Sequence, residues 1–345
     1  MSRGPKVTVA GAGALGLSAA LALADAGCAV TVCDPHGFGR ASSVAAGMLA
    51  PAFECVLEPQ TAAHADLLFA ARNQWAVLEA RAGVALDRSG ALAVGDDAWL
   101  AGVSAGLVRL GLRAAEVGRA TIHSLAPEVS AALTRGLLVR EDWRLDPLAA
   151  LKALRAACEA AGVSFRPERL ASRGGADLLV LAVGYDKALA DIAPELAGLT
   201  PIRGQILRFM DVRGGGVSLR TEGAYAVPGV DGLAFGATME PGREDLQPDR
   251  EALQPLSGPL ARLFPQLAEA TFGWGVGVRA ATPDGLPLAG FSAAPGVALA
   301  TGARRNGWLL AALAAQVVAA CVTGRDPGPY AARLDPRRFE TAGAA

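Results

Sequence analysis

The apolar positions near the start of the chain predict a strand, a helix and a second strand in immediate succession. Residues 7–10 form a short apolar run, alanine and leucine dominate to about residue 25, and residues 29–33 are apolar again. This succession is typical of a βαβ unit at the beginning of an α/β domain with a parallel sheet.

Three glycines separate the first strand from the helix, and an acid ends the second strand. Gly11 permits a tight turn, Gly13 lets a pyrophosphate approach the backbone, and Gly16 lets the helix pack closely on the sheet. The helix N-terminus favours phosphate, and Asp34 is placed to accept hydrogen bonds from ribose hydroxyls. The order predicts a site for NAD or FAD and disfavours NADP. A glycine-rich crossover without a ligand is the alternative.

Farther along the chain, the apolar periodicity predicts a return from strand-rich segments to the nucleotide-binding unit. Residues 176–184 form a continuous apolar run, which predicts a central parallel strand that ends at Gly184. Residues 84–95 alternate around Ser89 and Gly90 and predict a hairpin. Further helices are predicted at 64–81, 96–112, 147–161, 250–263 and 306–322, and further strands at 136–140, 163–166, 201–209, 223–238, 271–280 and 297–302.

Length and charge favour two domains that act on a small molecule. The chain has 345 residues and a net charge of −1, so no strong field attracts nucleic acid or an anionic membrane. The alanine-rich run 307–324 contains Gln316 and predicts a buried helix rather than a membrane span. No signal peptide is visible. Five cysteines without a C-x-x-C motif and three scattered histidines fit a reducing cytoplasm and no metal site.

Several blocks in a fixed order extend over nearly the whole chain. The blocks are GAGALG at 11–16 with Asp34, ASSVAAGMLAP at 41–51, EDWRLDP at 141–147, PIRGQ at 201–205, FGATMEPG at 235–242, GVRAATPDGLPLAG at 277–290 and ATGARRNGWLLA at 300–311. With these blocks the sequence resembles the FAD-dependent amino-acid oxidases of the D-amino-acid oxidase class, and most closely the glycine oxidases of thiamine biosynthesis. This resemblance favours FAD, held non-covalently, over NAD.

The resemblance implies an α/β protein with an interleaved architecture. A Rossmann-like FAD-binding domain is expected to alternate with an α+β substrate domain built on an antiparallel sheet. The FAD-binding domain is expected at residues 1–82, 142–203 and 276–345, and the substrate-binding domain at 83–141 and 204–275.

The strongest candidate for a substrate-binding residue is Arg279. It ends a strand of glycine and small residues, where a buried guanidinium needs an anionic partner, and its planar fork matches a carboxylate. An internal salt bridge is the alternative for this residue.

The resemblance adds further site residues. Arg305 matches a second active-site arginine of the family and Tyr225 a substrate-side hydroxyl, while Met48, Met239 and Arg304 are expected in the substrate pocket. Packing is the alternative for the tyrosine and both methionines. The strand near Leu170 is expected beside the adenine. The residues expected at the cofactor are Gly11, Gly13, Ala14, Leu15, Gly16, Asp34, Pro35, Ala41, Ser42, Ala46, Gly47, Met48, Leu170, Gly184, Gly302, Ala303, Arg304, Arg305, Asn306, Gly307, Trp308 and Leu309.

The activity that the resemblance implies is oxidative deamination of glycine or a small amino acid or amine. The substrate carboxylate would lie on Arg279, a hydride would pass from Cα to flavin N5, and dioxygen would reoxidise the flavin to give peroxide. The imine product would supply thiazole synthesis, and the enzyme is expected to be a homo-oligomer. The alternatives are a dehydrogenase of D- or N-methyl amino acids with a non-oxygen acceptor, and a flavin-binding subunit without activity.

Three departures from the family pattern concern the substrate more than the cofactor. Ala303 and Arg304 stand where the family usually has histidine and an aromatic residue, so an additional cation beside the flavin is expected to alter the charge preference for substrates. Tyr185 and Asp186 replace the usual small and aromatic pair, and residues 170–176 are too few for the usual hairpin.

Overall fold

The computed structural model describes residues 4–35, 40–170, 172, 175–210, 212 and 215–342. The strands are β1 (Lys6–Ala10), β2 (Ala29–Cys33), β3 (Met48–Leu49), β4 (Ala91–Val94), β5 (Ala115–Gly118), β6 (Arg135–Val139), β7 (Trp143–Arg144), β8 (Ser164–Arg166), β9 (Leu178–Leu181), β10 (Thr200–Met210), β11 (Ser218–Thr221), β12 (Ala224–Gly229), β13 (Gly232–Gly236), β14 (Glu240–Pro241), β15 (Gly273–Ala281), β16 (Leu288–Phe291) and β17 (Val297–Thr301). The α-helices are α1 (Ala14–Asp25), α2 (Arg40–Val44), α3 (Pro51–Leu57), α4 (Pro59–Ala62), α5 (Ala65–Ala82), α6 (Asp97–Arg109), α7 (Arg119–Leu125), α8 (Pro147–Ala160), α9 (Gln254–Leu263), α10 (Gly307–Val322) and α11 (Ala331–Leu334).

The first sheet has six strands in the order β16-β17-β9-β1-β2-β8. β1 pairs in parallel with β2 and β9, β17 pairs in parallel with β9, and β16 is the antiparallel edge strand. The apolar run that contains β9 lies in the interior of this sheet, where Leu179, Val180 and Leu181 are fully buried. The central parallel strand predicted at this run is therefore confirmed.

Helix α1 packs against this sheet at very short range. A Cβ atom at Gly16 would lie 2.0 Å from the carbonyl oxygen of Gly11 and 3.2 Å from the Cβ atom of Ala182. Only a glycine at this position lets the first turn of the helix approach both the preceding turn and the sheet.

Helix α10 runs through the interior of the same unit. Most of its alanine, leucine and valine side chains are buried, as predicted for the run 307–324. The indole Nε1 of Trp75 on α5 donates to the carbonyl oxygen of Trp308 at 2.8 Å, which fixes the start of α10. Among the described helices, none is both long and apolar enough to cross a membrane.

The second sheet follows the order β14-β10-β13-β12-β11-β4-β6-β5, and β15 also pairs with β10. Its pairs are antiparallel except for β11 with β4. A separate apolar core, with Phe209, Phe235 and Phe264, covers one face. The expected α/β class, with a Rossmann-like sheet and an antiparallel sheet, is confirmed. β10 and β15 run across the expected domain boundaries at 203/204 and 275/276.

One local prediction is wrong. Residues 84–95 do not form a hairpin, because β4 pairs with the distant strands β6 and β11 and Asp87 forms an isolated bridge with Arg144. All four residues of β4 are buried, so its partners are decided by long-range packing rather than by the local turn. The strand expected near Leu170 is β8, which ends four residues before it at Arg166.

Gly16→Ala tests the close packing of α1. The added methyl group would collide with backbone atoms that cannot rotate away, so we expect the free energy of unfolding in urea to fall by about 2 kcal/mol. Gly102→Ala on α6 is the matched control, because no atom lies within 4 Å of its Cβ position. Alanine favours a helix interior, so the control should be stabilised by up to ~1 kcal/mol. Equal stability of the Gly16 variant and the wild type would contradict the packing argument.

Candidate active site

A cavity of about 1150 Å³ is lined by residues from both sheets. Its volume lies above the range of ~300–1,000 Å³ typical of small-molecule sites, so it can hold an extended ligand together with a second small molecule. The residues predicted for the cofactor and substrate sites line this cavity, with two exceptions. Gly16 packs on the Gly11 turn, and the side chain of Leu309 is buried in the core around α10.

The glycine-rich turn before α1 forms one wall of the cavity. Gly11 has a φ of +102°, and a Cβ atom there would lie 2.4 Å from the carbonyl oxygen of Ala182. The backbone N–H of Ala12 donates to Asp34 Oδ2 at 2.9 Å. The N–H of Ala14 donates to Ser42 Oγ at 3.0 Å. The turn, the acid and helix α2 are thereby held together where the positive end of α1 meets the cavity.

A second helix begins at the cavity wall. Helix α10 starts at Gly307, and the preceding Arg304 has a φ of +48°, which is uncommon for a residue other than glycine. The N–H of Arg304 donates to the carbonyl oxygen of Ala280 at 2.7 Å, which fastens this turn to β15. The indole Nε1 of Trp308 donates to the carbonyl oxygen of Ser42 at 3.1 Å. Ser42 therefore contacts the starts of both helices.

Two blocks of the family pattern pair with one another along the cavity. Met48 lies opposite Arg144 in the short β3–β7 ladder, and the N–H of Leu145 donates to the carbonyl oxygen of Gly47 at 2.9 Å. Gly47 has a φ of +77°, and a Cβ atom there would lie 2.1 Å from the carbonyl oxygen of Leu145. The strand β3 thus presents the thioether of Met48 to the cavity.

These groups fit a dinucleotide such as FAD. Two helix N-termini supply backbone N–H groups and positive potential for phosphate oxygens or a negatively charged ring. The carboxylate of Asp34 is fixed beside the first of these termini, where a ribose would lie. Backbone of the segments at 41–48 and 302–308 lines the cavity between the two helix starts.

Arg279 enters the same cavity from β15. Its Nη1 donates to the carbonyl oxygen of Thr238 at 3.3 Å and to that of Arg203 at 3.5 Å, and it lies 3.6 Å from Met239 Sδ. No carboxylate oxygen of the described residues lies within 4.0 Å of its guanidinium, so the internal salt bridge considered above is not found. Burial lowers the pKa of Arg279, and the charges of Arg305 and Arg304 lower it further. A guanidinium in this position favours an anionic ligand.

Gly204 makes room for that guanidinium. A Cβ atom at Gly204 would lie 2.0 Å from Nη1 of Arg279 and 2.4 Å from its Cζ. Gly204 faces Gly277 in the β10–β15 ladder, two residues from Arg279. The sequence analysis quoted Gly204 only as part of a block and did not assign it to the site. Its signal in the sequence was a glycine inside an otherwise regular strand, which often marks a place where a ligand or another part of the chain lies close to the backbone.

Tyr225 lies on β12 and lines the same cavity, where it interacts with the charge of Arg279. Burial raises the pKa of its phenol, while Arg279, Arg305 and Arg220 act in the opposite direction. The ring packs in a small apolar cluster that also includes Met48. Met239 is 37% exposed and contacts Arg279, so both methionines border the cavity rather than the main cores.

An alternating chain of ions forms another part of the wall: Arg304, Glu58, Arg305, Glu54 and Arg220. Arg304 Nη1 lies 3.0 Å from Glu58 Oε2, and Arg305 Nη1 contacts Glu58 Oε1. Arg305 Nε lies 3.2 Å from Glu54 Oε2, and Arg220 Nη2 lies 3.4 Å from Glu54 Oε1. We call this set the ion-pair chain. The additional cation expected at Arg304 is present, but Glu58 balances its charge.

The acidic members of the ion-pair chain were not foreseen. Glu54 lies within α3 and Glu58 in the turn before α4. Their only signal in the sequence was two acids four residues apart in the mainly apolar run that follows Pro51. Arg220 was also missed, because it lies on β11 and reaches Glu54 only through the tertiary fold.

A buried acid supports the helix that carries Glu54. Asp142 accepts the N–H groups of Ala52 at 2.8 Å and Phe53 at 3.1 Å, at the start of α3. Burial raises the pKa of its carboxyl to about 7, although Arg220 and these two hydrogen bonds act to lower it. The carboxyl therefore changes charge near neutral pH while it holds α3 in place.

Comparison with known proteins matches residues 6–321 to the family described as DAO, FAD dependent oxidoreductase. The tRNA 5-methylaminomethyl-2-thiouridine biosynthesis bifunctional protein MnmC of Caulobacter vibrioides is 30% identical over 90% of this chain and 53% of its own length. The bifunctional protein ThiO/ThiG of a Nostoc species is 29% identical over 94% of this chain and 53% of its own length. The chain thus spans about half the length of these curated relatives.

The glycine oxidase of Geobacillus kaustophilus shares the fold. Its crystal structure superposes with a TM-score of 0.80 at 23% identity, and the match covers 98% of this chain and 100% of that one.

Gly204→Ala tests the space beside Arg279. The methyl group would displace the guanidinium, so we expect acetate to bind at least tenfold more weakly in calorimetric titrations, as for the loss of about one charged hydrogen bond. Gly273→Ala on the same ladder is the control, because its Cβ would lie 3.7 Å from the nearest side-chain atom, in ordinary contact. Wild-type acetate affinity in the Gly204 variant would contradict the assignment.

Asp142→Asn tests the buried carboxyl through the pH dependence of stability. The native pKa of about 7 lies above the ordinary value of about 4, so the native state binds the proton more tightly. The stabilisation from this group is complete below pH ~4 and is lost as the pH rises through 7. Between pH 5 and 8 the wild type should lose about 3 kcal/mol of unfolding free energy more than the variant. Asp97→Asn, at an exposed site, should keep the wild-type slope.

Proposed function

The chain belongs to the DAO family of FAD-dependent oxidoreductases, and from this premise we propose that it oxidises glycine or another small amino acid at its carbon–nitrogen bond. The observation that carries this proposal is Arg279, whose guanidinium has no carboxylate partner within the described part of the chain and lies in the cavity that also contains the dinucleotide-binding groups. Such a guanidinium matches the carboxylate that every amino acid carries.

The residues that would hold FAD follow from the cavity walls. The turn at 11–15 and Asp34 would bind the phosphates and the ribose, and Ser42 and the start of α10 would lie along the remainder. When bound, FAD would supply the two-electron oxidation of the amine to an imine and return the electrons to dioxygen as peroxide.

The protein's own part in this reaction is mainly to bind and orient the substrate. Arg279 would hold the carboxylate, which restricts the position of Cα to one region of the cavity. Tyr225 would donate its hydroxyl hydrogen to the substrate, because burial raises the pKa of the phenol and keeps it protonated. Met48 and Met239 border the same region and would limit the size of the side chain.

The finer part of the proposal is a glycine oxidase whose imine product supplies thiamine thiazole synthesis, with dioxygen as electron acceptor. The sequence blocks and the similarity to the ThiO/ThiG protein support this assignment. The five free cysteines, four of them buried, fit the reducing cytoplasm in which that pathway would operate.

The test is anaerobic reduction of the purified, FAD-loaded protein. We expect the visible flavin absorbance to bleach with glycine or sarcosine and to recover in air with one equivalent of peroxide. Bleaching with D-alanine or D-aspartate alone would change the substrate assignment. An absorbance that stays bleached in air and recovers only when a quinone is added as electron acceptor would indicate a dehydrogenase. An absorbance that none of these four compounds changes would contradict the proposed reaction.

Arg279→Ala tests the carboxylate anchor. The lost charge-assisted pair corresponds to roughly 3 kcal/mol, so KM should rise by about two orders of magnitude while FAD stays bound. Arg279→Lys should recover part of this loss, since lysine keeps the charge but not the planar fork. Arg135→Ala, at an exposed site on β6, is the control. An unchanged KM in Arg279→Ala would remove this residue from the site.

A further inference from the structure

The arginines that line the cavity differ in whether they contact a carboxylate of the protein. Five arginines of the described chain line it, and four of them contact a carboxylate. Arg169 lies 2.6 Å from Asp186, and the other three, Arg220, Arg304 and Arg305, belong to the ion-pair chain. Arg279 is the fifth. A substrate with one anionic group can therefore pair with Arg279. A second anionic group on the same substrate would meet arginines that already contact carboxylates of the protein.

The geometry points to Glu58 as the residue that sets this limit, so that the site selects substrates with one carboxylate and disfavours dicarboxylates. This inference rests on the proposed function, in which Arg279 binds the amino-acid carboxylate.

Glu58 is built to neutralise two arginines at once. Its Oε2 lies 3.0 Å from Arg304 Nη1, and its Oε1 contacts Arg305 Nη1. All three side chains are at most 22% exposed, where a charge pair is screened less than at the surface. Because both oxygens are occupied, Glu58 is not placed to bind the amine of a substrate.

The backbone holds Glu58 where it meets these arginines. Its N–H donates to the carbonyl oxygen of Glu54 at 3.0 Å, and its carbonyl oxygen accepts the hydroxyl of Thr61 at 2.9 Å. On the opposite side, the left-handed backbone of Arg304 is fixed to Ala280 of β15. Both partners are thus positioned by their own elements rather than by the ion pair alone.

Arg304 and Arg305 line the same cavity as Arg279, and the N–H of Arg304 donates at 2.7 Å to the carbonyl oxygen of Ala280, the residue that follows Arg279. In keeping with this proximity, the charges of both arginines lower the pKa of Arg279. If Glu58 lost its charge, Arg304 would have no carboxylate partner among the described residues, while Arg305 would keep Glu54. A dicarboxylate with one end on Arg279 would then meet the uncompensated guanidinium of Arg304 near its other end. Removing one partner of a buried pair leaves such a charge uncompensated.

The experiment compares ligands that are not oxidised. Calorimetric titrations of the FAD-loaded protein would use acetate as the monocarboxylate and malonate, succinate and glutarate as dicarboxylates of increasing reach. In the wild type, we expect no dicarboxylate to bind more tightly than acetate. In Glu58→Gln, at least one dicarboxylate should bind tenfold or more tightly than in the wild type, while acetate affinity changes less than threefold.

Three further variants distinguish loss of the Glu58 charge from a general change in the charge or folding of the cavity. Glu58→Asp keeps the charge and should retain the wild-type preference. Glu222→Gln removes an exposed carboxylate that lines the same cavity, and it should leave the ratio of dicarboxylate to acetate affinity within threefold of the wild type. Arg304→Gln leaves Glu58 with one partner and should weaken dicarboxylates at least threefold relative to acetate, which tests the inference independently of the folding of Glu58→Gln.

An unchanged affinity ratio in Glu58→Gln, or an equal shift in Glu222→Gln, would overturn the inference. Failure of the proposed function has a different signature, because acetate would then bind equally well to the wild type and to Arg279→Ala.

Discussion

The buried positive charge of Arg279 is the constraint on which the rest of the site depends. Among the residues that the structure describes, its guanidinium contacts carbonyl oxygens and a thioether and no carboxylate, so its charge is left for a ligand. Gly204 provides the space for it, and the long β10–β15 ladder fixes both residues in register. The other arginines of the cavity are paired with acids, which makes this one guanidinium distinct from its neighbours.

The dinucleotide site depends on a different feature of the fold. The N-termini of two helices supply backbone N–H groups and positive potential for a large anionic cofactor. Helices α1 and α10 belong to the same parallel unit, and Ser42 contacts the start of each. Their alignment needs close packing, because Gly11 and Gly16 leave no room for a side chain between turn, helix and sheet. The antiparallel sheet then supplies Tyr225 and Arg279 to the same cavity, so cofactor-binding and substrate-binding groups meet there.

Arg304 is a departure from the family pattern whose charge is balanced by another residue of the protein. Arg304 replaces an aromatic residue of the usual pattern, which by sequence alone adds a positive charge to the site. The structure places Glu58 against it, so the added charge is neutralised within the protein. A substitution that changes charge was therefore interpretable only together with a residue 246 positions away in the sequence.

The sequence by itself determined the first βαβ unit, the buried α10 and the residues of the glycine-rich turn, because these depend on local periodicity and on backbone conformations that glycine permits. It also pointed to Arg279, since a lone arginine among small strand residues has few other uses. The tertiary structure alone decided the partners of β4 and the ion-pair chain. These features arise from contacts between residues far apart in the chain, and no local pattern specifies which distant strand or charge will be the neighbour.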